Sequence, residues 1–270
     1  MAPHLGTFPK VTHKMLISKA RTVAIVNQKG GVGKTTTVIN LGAALAELGV
    51  QVLVVDLDPQ SNSTSGLGVD PRRARPSTYQ LLSGEADVDQ VAVPTSTKGL
   101  YLLPAQMALV GAEIELATQV EREFRLRRAL DVLDGGYGFI LIDCPPSLGL
   151  LTLNALAAAD EILVPMQAEY FALEGLAHLI QTQRMVRLEI NPQLRVGGIL
   201  LTQFDPRTTL SWDVLAEVRR AYGELVFKSV IPRNVRVGEA SSHGRSVLEF
   251  DPSCKGAKAY RNLAAEVLER

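Results

Sequence analysis

The chain has 270 residues, of which 46% are hydrophobic and 21% charged, so it can bury the core of one large α/β domain. Its 28 basic and 28 acidic residues give a formal net charge of zero, which excludes a polycation that coats nucleic acid through bulk charge. Two cysteines, Cys144 and Cys254, are too few for a disulfide framework or a cysteine-rich metal centre, so both are expected to be reduced thiols.

Residues 1–20 precede the first apolar run and contain Pro3, Gly6 and Pro9. They lack the apolar segment of a secretory signal, so we expect a flexible N-terminal arm, and Met15 is an alternative start. No apolar run reaches the roughly 18 residues of a membrane-spanning helix, which favours a cytoplasmic protein that does not bind membranes. Neither an internal repeat nor a linker divides residues 21–270, so they are expected to form one domain.

Apolar, β-branched runs alternate with segments of helical spacing from Thr22 onward. The predicted strands are residues 22–26, 50–55, 100–103, 139–142, 162–164 and 196–201. The predicted helices are residues 34–48, 124–133, 171–188, 210–222 and 256–268. Strands that are apolar throughout and separated by helices predict a single α/β domain, with a mostly parallel sheet and helices on both faces.

The segment after the first predicted strand reads Q-K-G-G-V-G-K-T-T over residues 28–36 and opens a helix, which is the context of a phosphate-binding loop. Its glycines let phosphate oxygens approach backbone N–H groups, and the helix start offers further unpaired N–H groups. Lys34 can reach the β- and γ-phosphates of ATP, and the Thr35 hydroxyl can bind Mg²⁺. The predicted nucleotide-binding residues are Lys29, Gly30, Gly31, Val32, Gly33, Lys34, Thr35 and Thr36.

The strict P-loop pattern has a glycine where this chain has Gln28, and a second lysine, Lys29, stands near the start of the loop. The K-G-G-V-G-K-T segment resembles the deviant Walker A motif of the ParA, Soj, MinD and nitrogenase iron proteins. The resemblance implies an ATPase that dimerises when it binds ATP and Mg²⁺. It also implies that Lys29 reaches the nucleotide of the partner subunit; by residue type alone, Lys29 could be a solvated loop lysine.

Two predicted strands end in acidic residues, at the edge where parallel sheets carry nucleotide sites. V-V-D-L-D-P-Q at residues 54–60 resembles the switch segment of the same family. The resemblance implies that Asp58 positions the attacking water and that Asp56 supports the Mg²⁺ shell, although both could merely cap the next element. L-I-D-C-P-P-S at residues 141–147 resembles its Walker B motif, in which Asp143 would hold Mg²⁺ through water. Cys144 is interpreted as a small filler.

Three C-terminal segments resemble the Soj branch of the family: T-Q-F-D at 202–205, I-P-R-N-V-R at 231–236 and E-A-S-S-H-G at 239–244. The resemblance implies that Pro232 and Asn234 lie near the adenine. His243 is interpreted as a structural residue at the end of a loop, because phosphoryl transfer depends on positioning and charge stabilisation rather than on a general base.

Three functions are compatible with this family. The first is DNA segregation, in which an ATP-bound homodimer binds duplex DNA without sequence preference on the nucleoid and is stimulated by a ParB-type partner. By resemblance, Arg207 and Arg236 would contact that DNA. The second is a MinD-like positioning ATPase that binds membrane through a basic amphipathic helix. The third, a cluster scaffold or reductase, is disfavoured by the cysteine positions.

The residue pattern of the predicted C-terminal helix distinguishes between DNA segregation and membrane binding. Its apolar residues recur at helical spacing, and its charged residues mix both signs. This pattern indicates a helix that packs on the sheet, and it therefore favours DNA segregation over membrane binding. The apolar positions are Ala259, Tyr260, Leu263, Val267 and Leu268.

Overall fold

The computed structural model describes residues 19–133, 135–169 and 172–270. Within these ranges one sheet has seven strands: β1 (Arg21–Ile25), β2 (Val52–Asp56), β3 (Val93–Pro94), β4 (Leu100–Leu103), β5 (Phe139–Asp143), β6 (Glu161–Gln167) and β7 (Arg195–Thr202). The α-helices that accompany them are α1 (Lys34–Glu47), α2 (Asn62–Gly66), α3 (Thr78–Ser83), α4 (Val88–Val91), α5 (Leu109–Leu116), α6 (Arg125–Asp131), α7 (Leu150–Ala158), α8 (Ala172–Glu189), α9 (Thr209–Tyr222), α10 (Val235–Ser242), α11 (Val247–Phe250) and α12 (Lys255–Glu269).

The strands lie in the order β3-β4-β2-β5-β1-β6-β7, and all neighbours are parallel except β3 and β4. This confirms the predicted mostly parallel sheet, and all six predicted strands belong to it. The additional strand β3 is a two-residue antiparallel edge, too short to leave a periodic signal. Pro94 suits that edge because it has no N–H to donate to a further strand.

Alternate strand residues point to opposite faces of the sheet, and each face has its own apolar core. On β1, Val23 and Ile25 pack in the core with α1, α10, α11 and α12. Ala24 belongs to the second core, which helices α3 to α9 cover. Helices on both faces of a single α/β domain are therefore confirmed, and the carboxyl ends of the parallel strands share one edge.

Several predicted bounds differ from the observed ones. The second strand begins at Val52 rather than at residue 50, because the turn after α1 still holds Val50: its N–H donates to the Leu45 carbonyl in the last turn of the helix (3.2 Å). Gly49 makes this turn possible with a φ of 86°. The predicted helix at 171–188 is observed as α8, and its predicted first residue lies outside the described residues. The predicted N-terminal arm also lies outside them, apart from Lys19 and Ala20.

Helix α12 packs on the sheet as predicted: Tyr260, Leu263 and Val267 are buried in the core beside α1. Leu268 is 44% exposed, so its assignment to the apolar face was wrong; it lies in the last turn, beyond the edge of the core. In the part of the chain that the structure describes, no helix combines the length and apolarity needed to cross a bilayer.

Candidate nucleotide site at the carboxyl edge of the sheet

The glycine-rich loop joins β1 to α1 at the carboxyl edge of the sheet. Gly31 and Gly33 have φ values of 75° and 86°, a left-handed conformation that favours glycine. Gly33 immediately precedes α1, and none of the described side chains caps the helix. The first N–H groups of α1 are thus left for an external anion, and the positive end of the helix dipole points the same way.

Lys34, the first residue of α1, is only 7% exposed. Its Nζ donates to the Lys29 carbonyl (3.3 Å), which holds the ammonium group at the loop. Burial lowers the pKa of Lys34, and the nearby Asp143 carboxylate opposes this shift. A buried ammonium beside open helix N–H groups makes a cradle for phosphate oxygens.

Asp56 and Asp143 end neighbouring strands, are paired in register and are fully buried. Both oxygens of Asp56 accept hydrogen bonds. Oδ2 accepts from the Thr64 N–H (2.8 Å) and hydroxyl (2.7 Å), and Oδ1 accepts from the Asp58 N–H (3.1 Å). Burial raises the pKa of Asp56, and the adjacent Asp143 raises it further. Asp56 therefore ties down the segment that follows β2.

Asp143 differs because, among the described residues, only one of its oxygens has a hydrogen-bond partner. Oδ2 accepts from the Ser63 hydroxyl (2.7 Å), whereas the buried Oδ1 has no hydrogen-bond partner among the described residues. Burial raises the pKa of Asp143. The side-chain hydroxyl groups of Ser63 and Thr35 stabilise the charged carboxylate and so oppose this rise in pKa. A buried carboxylate oxygen without a partner, beside a threonine hydroxyl, fits a hydrated Mg²⁺ ion.

Asp58 lies on the loop after β2 and is 7% exposed. Its Oδ1 accepts from the Gln60 N–H (2.9 Å), so the carboxylate is held by its own loop. A cavity of about 590 Å³ lies at the glycine-rich loop and is named the phosphate cavity for the ligand expected there. Asp58, Lys34 and Thr35 all line it. The structure thus brings Asp58 to one space with six predicted nucleotide-binding residues, whereas Val32 is buried and does not line this cavity.

A second cavity of about 280 Å³ adjoins the first, because Gly33, Thr36 and Gln203 line both. Pro232 and Asn234 line this second cavity. Asn234 caps α10 by accepting a hydrogen bond from the Arg236 N–H (2.8 Å). The two residues predicted near the adenine therefore lie beside the start of α1, next to the phosphate cavity.

Lys29 behaves differently from the rest of its loop. Its side chain is half-exposed and forms an ion pair with Glu169, which follows β6. Among the described residues that line the phosphate cavity, Lys29 does not occur. The ammonium group is thus directed to Glu169, on the segment after β6, rather than into the cavity of its own chain.

The two predicted DNA-binding arginines lie on separate segments outside the cavities. Arg207 has an 85% exposed side chain and forms a two-pronged ion pair with Asp205 (2.9 and 2.7 Å), which lowers the pKa of Asp205 to about 2. Arg236 is paired with Glu239 (2.9 Å) and Asp251 (3.5 Å). Both arginines are exposed, and acidic neighbours offset both charges.

Sequence reasoning missed several residues that shape the site. The side-chain amides of Gln167 and Gln203 each donate to the Gly31 carbonyl (2.8 Å) and support the glycine-rich loop from β6 and β7. Their position at the ends of strands was the only available signal. Ser63 and Thr64 lie in a Ser- and Asn-rich segment that showed no clear period, and that segment contains helix α2.

Cys144 and His243 take no part in the cavities. Cys144 is 1% exposed, and burial raises the pKa of its thiol, as suits a small filler in the core. His243 stacks on Phe250, with 5.1 Å between ring centroids. The loop expected before His243 was wrong, because helix α10 precedes it and His243 is the C-cap of that helix.

Residues 20–196 match the family described as AAA domain. The chromosome-partitioning ATPase Soj of Thermus thermophilus is 54% identical over 256 residues, covering 95% of this chain and 98% of that protein. The chromosome partitioning protein ParA of Caulobacter vibrioides is 50% identical over 258 residues, covering 95% of this chain and 97% of that protein.

Among solved structures, cobyrinic acid a,c-diamide synthase from Mycobacterium smegmatis, with bound ATP analogue and magnesium, is similar to this chain. It is 43% identical, with a TM-score of 0.82 over 93% of this chain and 95% of that chain. The two partitioning proteins are more nearly identical to the chain and match nearly its whole length. With its deviant glycine-rich loop at the carboxyl edge of a parallel sheet, the chain belongs to the Soj/ParA family of P-loop ATPases.

Proposed function

We propose that this protein hydrolyses ATP with Mg²⁺ and uses the cycle to segregate DNA. The observation that carries the proposal is the site at the carboxyl edge: an uncapped helix start and buried Lys34 face one cavity with Asp58, and Asp143 keeps one buried oxygen open. The names of the relatives from Thermus and Caulobacter, both partitioning proteins, support DNA as the cargo.

In this proposal, the backbone N–H groups of residues 30–36 and the Lys34 ammonium bind the β- and γ-phosphates. Thr35 and Asp143 hold Mg²⁺, with Asp56 behind them as the anchor of the switch segment. Bound Mg²⁺ would neutralise charge on the phosphates during transfer. Asp58, held by the Gln60 N–H, orients the attacking water.

The adjoining cavity of about 280 Å³ is proposed for the adenine, with Pro232 and Asn234 in its wall. Its position supports this assignment, since it shares Gly33 and Thr36 with the phosphate cavity. A nucleotide that spans both cavities would connect the glycine-rich loop to the start of α10.

Lys29 is proposed to act on the nucleotide of a second copy of the chain, so that ATP binding produces a homodimer. Its half-exposed ammonium group is paired with Glu169 and can exchange that carboxylate for the phosphates of a nucleotide in another subunit. A positive charge delivered in this way would stabilise the transition state from across the interface.

The ATP-bound dimer is proposed to bind duplex DNA non-specifically through Arg207 and Arg236, on the nucleoid in the cytoplasm, and to be stimulated by a ParB-type partner. Contacts to phosphates carry no sequence information. The MinD-like alternative needs an amphipathic helix that enters lipid, whereas α12 uses its apolar face to pack on the sheet.

A gel-shift series tests the DNA proposal, using one duplex and its sequence-scrambled control with ATP, ADP or no nucleotide. We expect binding to both duplexes with ATP and much weaker binding otherwise. Arg207→Glu and Arg236→Glu should each abolish binding while leaving ATP-driven dimerisation intact in size-exclusion chromatography. An ATP dimer that ignores DNA but sediments with anionic liposomes would favour the MinD-like function instead.

A further inference from the structure

Two residues at the start of helix α2 form hydrogen bonds to the two buried acids, Asp56 and Asp143. Ser63 and Thr64 are neighbours there, and both are fully buried. The Thr64 hydroxyl donates to Asp56 and accepts from the Ala105 N–H (2.9 Å), so it is fixed from two sides. The Ser63 hydroxyl donates to Asp143, on the next strand of the sheet.

The Ser63 hydrogen bond distinguishes the two oxygens of Asp143. Oδ2 receives the hydroxyl proton at 2.7 Å, and Oδ1 is the buried oxygen without a partner among the described residues. A carboxylate fixed through one oxygen presents the other in a defined direction. Groups that hold a metal-binding carboxylate in this way typically change metal affinity by about 10- to 100-fold when removed.

Ser63 is also connected to Asp58 through the backbone. The Ser61 N–H donates to the Asp58 carbonyl (2.8 Å), and the Ser65 N–H donates to the Ser61 carbonyl (3.0 Å). Two consecutive hydrogen-bonded turns therefore connect Asp58 with the helix that bears Ser63. A shift of Asp58 would be transmitted over only five residues to the hydrogen bond on Asp143.

We infer that Ser63 is a positioning residue for Mg²⁺: its hydroxyl orients Asp143 so that Oδ1 is left for a metal-bound water, and it links the metal site to the switch segment. The inference rests on the proposed role of Asp143 and Thr35 in holding Mg²⁺. It assigns no contact between Ser63 and the nucleotide or the ion.

The experiment measures the affinity of purified protein for a fluorescent ADP analogue with and without Mg²⁺. For Ser63→Ala we expect the gain in affinity on adding Mg²⁺ to fall about tenfold. Affinity without Mg²⁺ should stay within about twofold, because Ser63 acts only through Asp143. Ser63→Thr, which keeps the hydroxyl, should restore the gain. Ser83→Ala in α3, which removes a hydroxyl that donates to the Gln80 carbonyl rather than to an acid, is the control.

A double-mutant comparison separates positioning from general loosening of the fold. If Ser63 acts through Asp143, adding Ser63→Ala to Asp143→Asn should produce no further loss of the Mg²⁺-dependent gain. A full gain in Ser63→Ala would overturn the inference and leave the metal assignment intact. A wild-type protein without any gain, or an unchanged gain in Asp143→Asn, would overturn both.

Thermal unfolding without nucleotide controls for the loss of a buried hydrogen bond. Ser63→Ala should unfold cooperatively, and its Mg²⁺ defect should persist at temperatures well below its unfolding transition. Equal losses of affinity with and without Mg²⁺ would indicate a purely structural role and would also contradict the inference.

Discussion

At the phosphate site, Lys34 is a buried charge held among the described residues by one 3.3 Å hydrogen bond to a loop carbonyl. We expect Lys34→Ala to weaken binding of a fluorescent ATP analogue by at least about tenfold, since a hydrogen bond to a charged group contributes roughly 1.5–3 kcal/mol. Lys98→Ala, at an exposed lysine before β4, is the control and should bind normally. Near wild-type affinity of Lys34→Ala would remove this lysine from the site.

The buried acids give the nucleotide-free protein a distinctive pH dependence. Burial and the neighbouring Asp143 raise the pKa of Asp56 from 3.8 to about 8. An acid with a higher pKa in the folded state binds protons more tightly when folded, so stability is lost as the pH rises from the unfolded value through the folded one. The contribution of Asp56 to the free energy of unfolding should therefore decrease between about pH 4 and pH 8.

Urea denaturation at several pH values measures this dependence. Asp143→Asn removes the neighbouring negative charge, so it should lower the pKa of Asp56 and flatten the decrease over the same window. Stability that stays constant or rises in the wild-type protein would show that Asp56 is ionised throughout.

At the scale of elements, the loop between β7 and α9 contains an arginine that its own neighbour neutralises. Asp205 holds Arg207 through two hydrogen bonds, and DNA phosphates must compete with it. Asp205→Asn should therefore strengthen DNA binding by the ATP-bound protein and steepen the log–log salt slope by about 0.9 for each additional phosphate that the protein neutralises. Filter binding across a salt series measures both, with Asp213→Asn on α9 as the control. Weaker binding would mean that Asp205 orients Arg207 for DNA rather than masking it.

Elements with a clear apolar pattern were predictable, and those without one were not. Strand β5 is buried at every position, and helix α9 buries Val214, Leu215 and Val218 at helical spacing, which are the patterns that sequence reading detects. Helix α2 has only five residues, and its Ser63 and Thr64 satisfy buried carboxylates instead of joining an apolar core. Helix α10 did leave a local signal, the Asn234 cap, but its polar sequence resembled a loop.

At the scale of the whole molecule, the proposed role of Lys29 makes ATP hydrolysis depend on two copies of the chain. Lys29→Ala should still bind ATP as a monomer, because its side chain does not line its own cavity, yet neither dimerise nor hydrolyse ATP. Size-exclusion chromatography with ATP and Mg²⁺, alongside phosphate release, measures both. Recovery of activity on mixing Lys29→Ala with Asp58→Ala would demonstrate action across the interface. Normal dimerisation of Lys29→Ala would contradict the proposed role.

The sequence alone determined the fold class and the position of the glycine-rich loop before α1, because both depend on local chemistry. Buried strands need continuous apolar runs, and a phosphate cradle needs glycines, a lysine and a helix start within a few consecutive residues. The carboxyl ends of parallel strands meet at one edge, so Asp56, Asp58 and Asp143 could be expected to lie near that loop.

Only the tertiary structure decided what each acid does. Asp56 and Asp143 end neighbouring strands in similar sequence settings, yet Thr64 and Asp58 occupy both oxygens of the first, and Ser63 occupies one oxygen of the second. Asp58 lies on the loop after β2, and Ser63 and Thr64 come from helix α2; the bond from Ser63 to Asp143 joins positions that are 80 residues apart in the chain. Hydrogen bonds that join distant segments leave no periodic pattern in the sequence, and here they distinguish an anchoring carboxylate from one with an oxygen open to a metal ion.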